Sequence, residues 1–180
     1  MTAANTITVD PVTASVIQGA LENIAVEMGY KLMRMSYSSI IRESEDFGAA
    51  LVDAEGRGLA ESAQSTPLQS GPIPGYIRGI LKALRERRDA VRPGDVIMHN
   101  DAYGGASHGP DVGFAVPVFH DGRLVAFAAT TAHHLDIGAP GLGQLRHCRR
   151  RRCLGRRPPI QSHQGVRPRR PQRRCMAAAA

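Results

Sequence analysis

The sequence predicts an α+β fold: a long N-terminal helix, a second helix, and antiparallel β-hairpins that carry Gly-rich His/Asp loops, followed by a disordered Arg-rich tail. Three observations predict it. Ile17, Leu21, Ile24, Met28, Leu32 and Met35 recur at three- and four-residue steps, the period of a helix face. Two apolar runs flank His120-Asp121-Gly122-Arg123, where Asp-Gly is a hairpin signal. Twelve of the 23 Lys and Arg residues lie in 146–180 without an acid among them, which leaves eleven against all sixteen Asp and Glu in 1–145. The body is therefore net acidic, and the basic balance of the whole chain belongs to its tail.

The first helix starts at Asp10-Pro11. Asp accepts the free N–H groups of a first turn, and Pro fits the first helical position. The helix is expected over 11–35, with Gly29 as its weak point, since Gly costs about 1 kcal/mol relative to Ala. Met28, Met33 and Met35 read as core. Phe47 to Asp53 and Gly58 to Ala60 read as a hairpin turning at Asp53-Ala54-Glu55-Gly56. Thr66 to Pro74 reads as a Pro/Gly/Ser loop. A second amphipathic helix follows, with Ile77, Ile80, Leu81 and Leu84 inward and Arg85 to Arg88 outward. Val96 to Met98 is a short buried strand after the Arg92-Pro93-Gly94-Asp95 turn. Asn100 to Asp111 is a loop, Val112 to Phe119 and Leu124 to Thr130 a strand pair, and Thr131 to Gly143 a second polar, Gly-rich stretch.

Residues 1–145 suffice for one domain. All three cysteines, Cys148, Cys153 and Cys175, lie in the tail, so the body holds no disulfide, thiolate nucleophile or cysteine metal site. No secretory leader and no apolar run of membrane-spanning length stand out, and a cytoplasmic location is the expectation. Gly104-Gly105 lacks the Lys-Ser/Thr of a phosphate loop.

Chemistry concentrates in the two polar stretches. Asp101, His108 and Asp111 share the first; His133, His134 and Asp136 share the second. Imidazole and carboxylate without thiolate suit a borderline or hard divalent ion such as Zn, Mn or Fe. In extended chain His134 and Asp136 point to the same side and His133 to the other, where it could orient a partner or bind substrate. A His beside an Asp is also often only a hydrogen-bonded pair. His99 and His120 read as structural or solvent-facing.

Several ordered blocks carry a resemblance: DPVTASVIQGALENIAVEMG, SYSSIIRESEDFGAALVDAEGRGLAE and RPGDVIMHNDAYGGASHGPDVGFAVPVFHDGRLVAFAATTAHHLDIGAPG. Over about residues 10–144 the chain resembles the N-terminal part of the hydantoinase B/oxoprolinase family, which includes N-methylhydantoinase B subunits and acetone carboxylase-type subunits. Ala102, Ser107 and Gly109 depart from the family pattern without removing a candidate ligand. The resemblance implies a catalytic subunit that works with a hydantoinase A-type ATP-binding subunit. Its substrate would be a cyclic amide for ring hydrolysis, or a ketone for carboxylation. It also implies a divalent metal, to polarise a carbonyl or lower the pKa of a water. His108, Asp111, His134 and Asp136 are then the expected ligands, Asp101 a further one, and His133 a ligand or catalytic base. Asp46 and Ser38 fall in matching blocks and receive no role.

The family continues well beyond Gly143 with ordinary globular sequence, whereas residues 146–180 are Arg- and Pro-rich. Permitted codons for Arg146 onward, read one base later, yield an acid-rich amphipathic string that includes Trp, Phe and Tyr. A frameshift near Leu145 is thus the expected origin of the tail, and the chain is expected to be a fragment, inactive alone. The rival is a nucleic-acid-binding arm. No aromatic is interleaved among its arginines for base stacking, and nucleic acid is not the expected partner.

Overall fold

The computed structural model describes residues 9–135 and the backbone of residues 163–165. The expectations for Asp136 and for most of the tail lie outside the described residues.

Helix α1 spans Pro11–Met35, and the Asp10 side chain caps it by accepting from the Val12 and Thr13 amides at 3.0 Å each. The hydrogen bond from the Thr13 hydroxyl is the largest reason that the Asp10 carboxyl is held below its ordinary pKa. Gly29 has a different role from the one the propensity scale gives it. A Cβ there would lie 2.9 Å from Ser62 Oγ and 3.0 Å from the Phe47 ring, so its bareness lets the helix close on the sheet. The buried residues of α1 are Ala25 and Gly29, whereas Ile17, Ile24 and Met35, expected inward, are exposed.

A short helix, α2 (Ser39–Arg42), leads into β1 (Phe47–Asp53) and β2 (Gly58–Glu61). The stretch expected to be a plain loop contains another helix, α3 (Pro67–Ser70). Helix α4 (Ile73–Glu86) buries Ile73, Tyr76, Ile77, Ile80 and Leu84. Then come β3 (Val96–His99), a 3-10 turn at Ala102–Gly104, β4 (Asp111–His120) and β5 (Arg123–His133). Asp121 and Gly122 form the two-residue turn of the β4–β5 hairpin, both at positive φ (47° and 73°), as a twist-matched hairpin requires.

The sheet runs β2-β1-β5-β4-β3-β6, with the three-residue β6 (His163–Gly165) antiparallel to β3 at the edge. Over 111–117 of β4 and 127–133 of β5, before the bulge at Val118/Phe119, the odd-numbered residues share one face because side chains alternate along a strand. That face meets α4 in the main core, formed by Ala50, Val52, Ile73, Ile77, Ile80, Leu84, Ile97, Ala115, Phe127 and Ala129. A second cluster of Ile41, Phe47 and Ala132, backed by Leu32 and Met33, joins α1 to the opposite face. On that opposite face Phe114, Val116 and Val118 stand 39–41% exposed.

Both polar stretches are shorter as loops than the sequence implies. Asp111 is the first residue of β4 and His133 the last of β5, and the register sets them directly across from each other. Their odd numbers place them on the α4 face, in line with Ala115, Phe127, Ala129 and Thr131.

Candidate metal centre

Three side chains converge where β4 begins and β5 ends. His108, Asp111 and His133 each offer a ligand atom, and these atoms all lie within 4.8 Å of one another. Asp111 is fully buried and His133 is 6% exposed. His133 Nδ1 is 3.0 Å from Asp111 Oδ1. His108 Nδ1 is 2.7 Å from Asp111 Oδ2, and the imidazoles tilt at 48° with centroids 5.0 Å apart.

The His108–Asp111 contact has the distance of a hydrogen bond without its direction. Both atoms are buried, and neither meets hydrogen-bond geometry with any group in the structure. An imidazolium clamping a carboxylate would aim its N–H along the line of contact, because a hydrogen bond weakens steeply as it bends. Here the two atoms stand 2.7 Å apart without that alignment. The Asp111 Oδ1 atom has His133 as a partner at 3.0 Å, and a cation would complete the buried Oδ2. The residues therefore fit a divalent ion by position and by donor type.

Local structure explains the convergence. The Asp111 amide donates to the His108 carbonyl at 3.1 Å, turning the loop into the strand so that both side chains face inward. Asn100 Nδ2 pins the loop by donating to the Gly109 carbonyl at 2.9 Å. His133 is held by its own amide, which donates to the Asp46 carbonyl at 3.1 Å. That bond brings the Asp46 carboxylate within 3.9 Å of His133 Nδ1, as a second acid beside the group. The Tyr76 hydroxyl donates to the Asp111 carbonyl at 3.4 Å, and burial, reinforced by the charge of Asp111, pushes its pKa up.

The remaining expected residues lie elsewhere. His134 is exposed, and its amide donates to the Pro110 carbonyl at 3.1 Å. Partial desolvation of its ring, then the nearness of His133, holds its pKa down. The Asp101 carboxylate caps the 3-10 turn by accepting from the Tyr103 amide at 2.9 Å. Asp136 lies outside the described residues. His120 is exposed, as its sequence context implies, while His99 is buried edge-on to Tyr76 with centroids 5.3 Å apart. Burial lowers the His99 pKa against a weaker pull from Asp101.

Sequence reasoning misses two residues near the group, Asp46 and Gln69. Strand parity gives one signal for His133, because it shares its face with Phe127 and Ala129 of the apolar core. An open cleft of about 560 Å³ lies apart from the group, between α1, β2 and the start of α4, and is lined in part by Gln18, Glu22, Glu61 and Pro74. No described helix is long and apolar enough to cross a membrane.

The family model for hydantoinase B/oxoprolinase matches residues 10–151. The chain belongs to that family. It is 66% identical over 131 residues to a protein of Pseudomonas sp. (strain NS671) named as the B component of a D-/L-hydantoinase, covering 73% of this chain and 22% of that protein. Among solved structures, the ATP-dependent caprolactamase of Pseudomonas jessenii matches with a TM-score of 0.63 at 33% identity, over 75% of this chain and 23% of the other. A nucleotide-free acetone carboxylase matches with a TM-score of 0.68 at 23% identity, over 74% of this chain and 17% of that one, a likeness of fold. The chain thus spans about a fifth of the length of the hydantoinase relative.

Proposed function

We propose that this chain is the N-terminal part of the catalytic subunit of an ATP-dependent amidohydrolase that opens cyclic amides, of the hydantoinase/5-oxoprolinase type. The observation that carries the reading is the convergence of His108, Asp111 and His133 in a chain 66% identical to the B component of a hydantoinase. The weaker identity to the acetone carboxylase, 23%, makes ketone carboxylation the second choice.

In this reading His108, Asp111 and His133 hold a divalent ion, Mn, Zn or Fe, with Asp46 beside them. When bound, the ion supplies Lewis acidity toward a carbonyl oxygen. Asp111 contributes the negative charge, buried so that little water competes for it. His133 serves as ligand in preference to the base role, and His134 and Asp101 stand outside the ligand set. ATP belongs to a hydantoinase A-type partner subunit in a cytoplasmic complex. Residues 146–180 are the out-of-frame reading of the family's continuation, which genomic sequence across the Leu145 codon tests directly; an intact frame there contradicts it.

The test of activity joins residues 1–145 to a family-length continuation and supplies the ATP-binding partner. Ring opening of a hydantoin or lactam, coupled to ADP release and lost on chelation and in His133→Ala, is the expected result. Bicarbonate-dependent carboxylation of a ketone with no ring opening would overturn the amidohydrolase reading in favour of the carboxylase.

A further inference from the structure

The Asp111 carboxylate has a partner from outside both His/Asp stretches. Gln69 on α3, 42 residues earlier in sequence, donates from Nε2 to Asp111 Oδ1 at 3.0 Å in a buried contact. Its Oε1 accepts from the Thr131 hydroxyl at 2.9 Å. All three side chains are fully buried or nearly so: Gln69 and Thr131 are 1% exposed and Asp111 is 0%.

The chemistry fixes the direction of this relay. An ionised carboxylate only accepts, so the amide must turn its NH₂ end to Asp111 and its carbonyl end to Thr131. The single proton of the Thr131 hydroxyl has two acceptors on Gln69, that side-chain carbonyl at 2.9 Å and the main-chain carbonyl at 3.1 Å, so Thr131 holds Gln69 in place while Asp111 sets the amide's direction. With Oδ1 tied to Gln69, rotation of the carboxylate is restrained, and Oδ2 stays on the His108 side. Thr131 precedes His133 by two residues on the same face of β5, so one strand carries both the relay's end and a ligand.

The backbone is shaped to admit the relay. Gly48 of β1 lies opposite Thr131 in the sheet. A Cβ at Gly48 would come within 2.7–2.8 Å of the Gln69 and Ser70 main chain. The bare strand is therefore the seat on which α3 lies close enough for the Gln69 side chain to reach Asp111.

We infer that Gln69 and Thr131 are positioning residues for the ion site: the Thr131–Gln69 relay fixes the orientation of Asp111 and thereby the affinity of the His108/Asp111/His133 group for a divalent cation. This inference rests on the metal reading above. Partners of this kind orient metal ligands, and their loss typically costs about 10–100-fold in metal affinity.

The test is Mn²⁺ titration of the 180-residue chain, with free Mn²⁺ read by electron paramagnetic resonance and affinity expressed per folded chain. Gln69→Leu should weaken binding by about 10–100-fold. Thr131→Val, nearly isosteric but without the hydroxyl, should weaken it several-fold, and Thr131→Ser should restore wild-type affinity to within about twofold. Thermal unfolding of the metal-free variants separates folding from affinity. If Gln69→Leu does not fold, the Thr131→Val and Thr131→Ser pair decides. Wild-type affinity in Thr131→Val and in folded Gln69→Leu would overturn the relay while leaving the metal site standing. A wild-type chain that binds no Mn²⁺ would overturn the metal reading and the relay with it.

Discussion

One face of the sheet has two halves built from the same two strands. Toward the hairpin end, Ala115 and Phe127 meet Ile73, Ile77 and Ile80 of α4 in a wholly apolar core. Toward the other end, the same alternation delivers Asp111, Thr131 and His133 to an equally buried place, with Gln69 against them. The apolar half gains stability from every group it buries, at about 25 cal/mol per Å² of apolar surface. The polar half buries a carboxylate and one imidazole and half-buries a second, which no packing gain explains. The contrast separates a stretch of sheet that holds the fold together from one that the fold holds in place at a cost in polar burial.

Substitutions should respect that division. Phe127→Ala should be the most damaging to the fold, lowering unfolding free energy by about 3–5 kcal/mol in urea titration, with metal affinity per folded chain unchanged. A large loss of affinity in folded Phe127→Ala would show the halves to be coupled. His108→Ala should invert the pattern. Its side chain is 31% exposed, so stability should change by about 1 kcal/mol, while calorimetric titration should find divalent-ion binding lost.

A smaller effect is expected from pH. Burial holds the pKa of His99 below its ordinary 6.5, so the unfolded chain takes up a proton first as the medium is acidified. The stability from keeping this ring neutral is complete above pH 6.5 and is lost as pH falls below it toward the folded-state pKa. His134 is shifted in the same direction. His99→Leu should therefore reduce, without abolishing, the decline in thermal midpoint between pH 7.5 and 5.5. An unchanged slope would show that His99 is not held neutral. The smallest effect belongs to the opposite face of the sheet. Val116→Thr, at a position 41% exposed, should alter stability by no more than about 0.5 kcal/mol in the same urea titration.

Much of the fold was legible because periodicity and turn chemistry are local. The Asp10 cap, the 11–35 helix, the α4 face and the Asp121-Gly122 hairpin follow from neighbours in sequence. The inward side of α1 did not, because the closest approach falls on Gly29, and hydrophobicity cannot mark a residue that is useful for having no side chain. Helix α3 was hidden because a single turn between Pro67 and Ser70 has no period to detect. The site was half legible. Residue types and spacing pointed to the two stretches that supply His108, Asp111 and His133, but taking 131–136 as a loop broke the parity count at Thr130. Carrying the alternation from Phe127 through Ala129 and Thr131 turns His133 inward and His134 outward. Gln69 and Asp46 are joined to the site only by tertiary contacts, and nothing in their local sequence announces them.

The distinction between neighbouring histidines gives the sharpest test. The 180-residue chain, loaded with Mn²⁺ or Zn²⁺, freed of excess ion by dialysis and measured by elemental analysis, should hold one ion per folded molecule. His133→Ala should hold none, and His134→Ala should hold as much as the parent. An empty parent chain, or an ion lost from His134→Ala but kept by His133→Ala, would contradict a centre built from His108, Asp111 and His133.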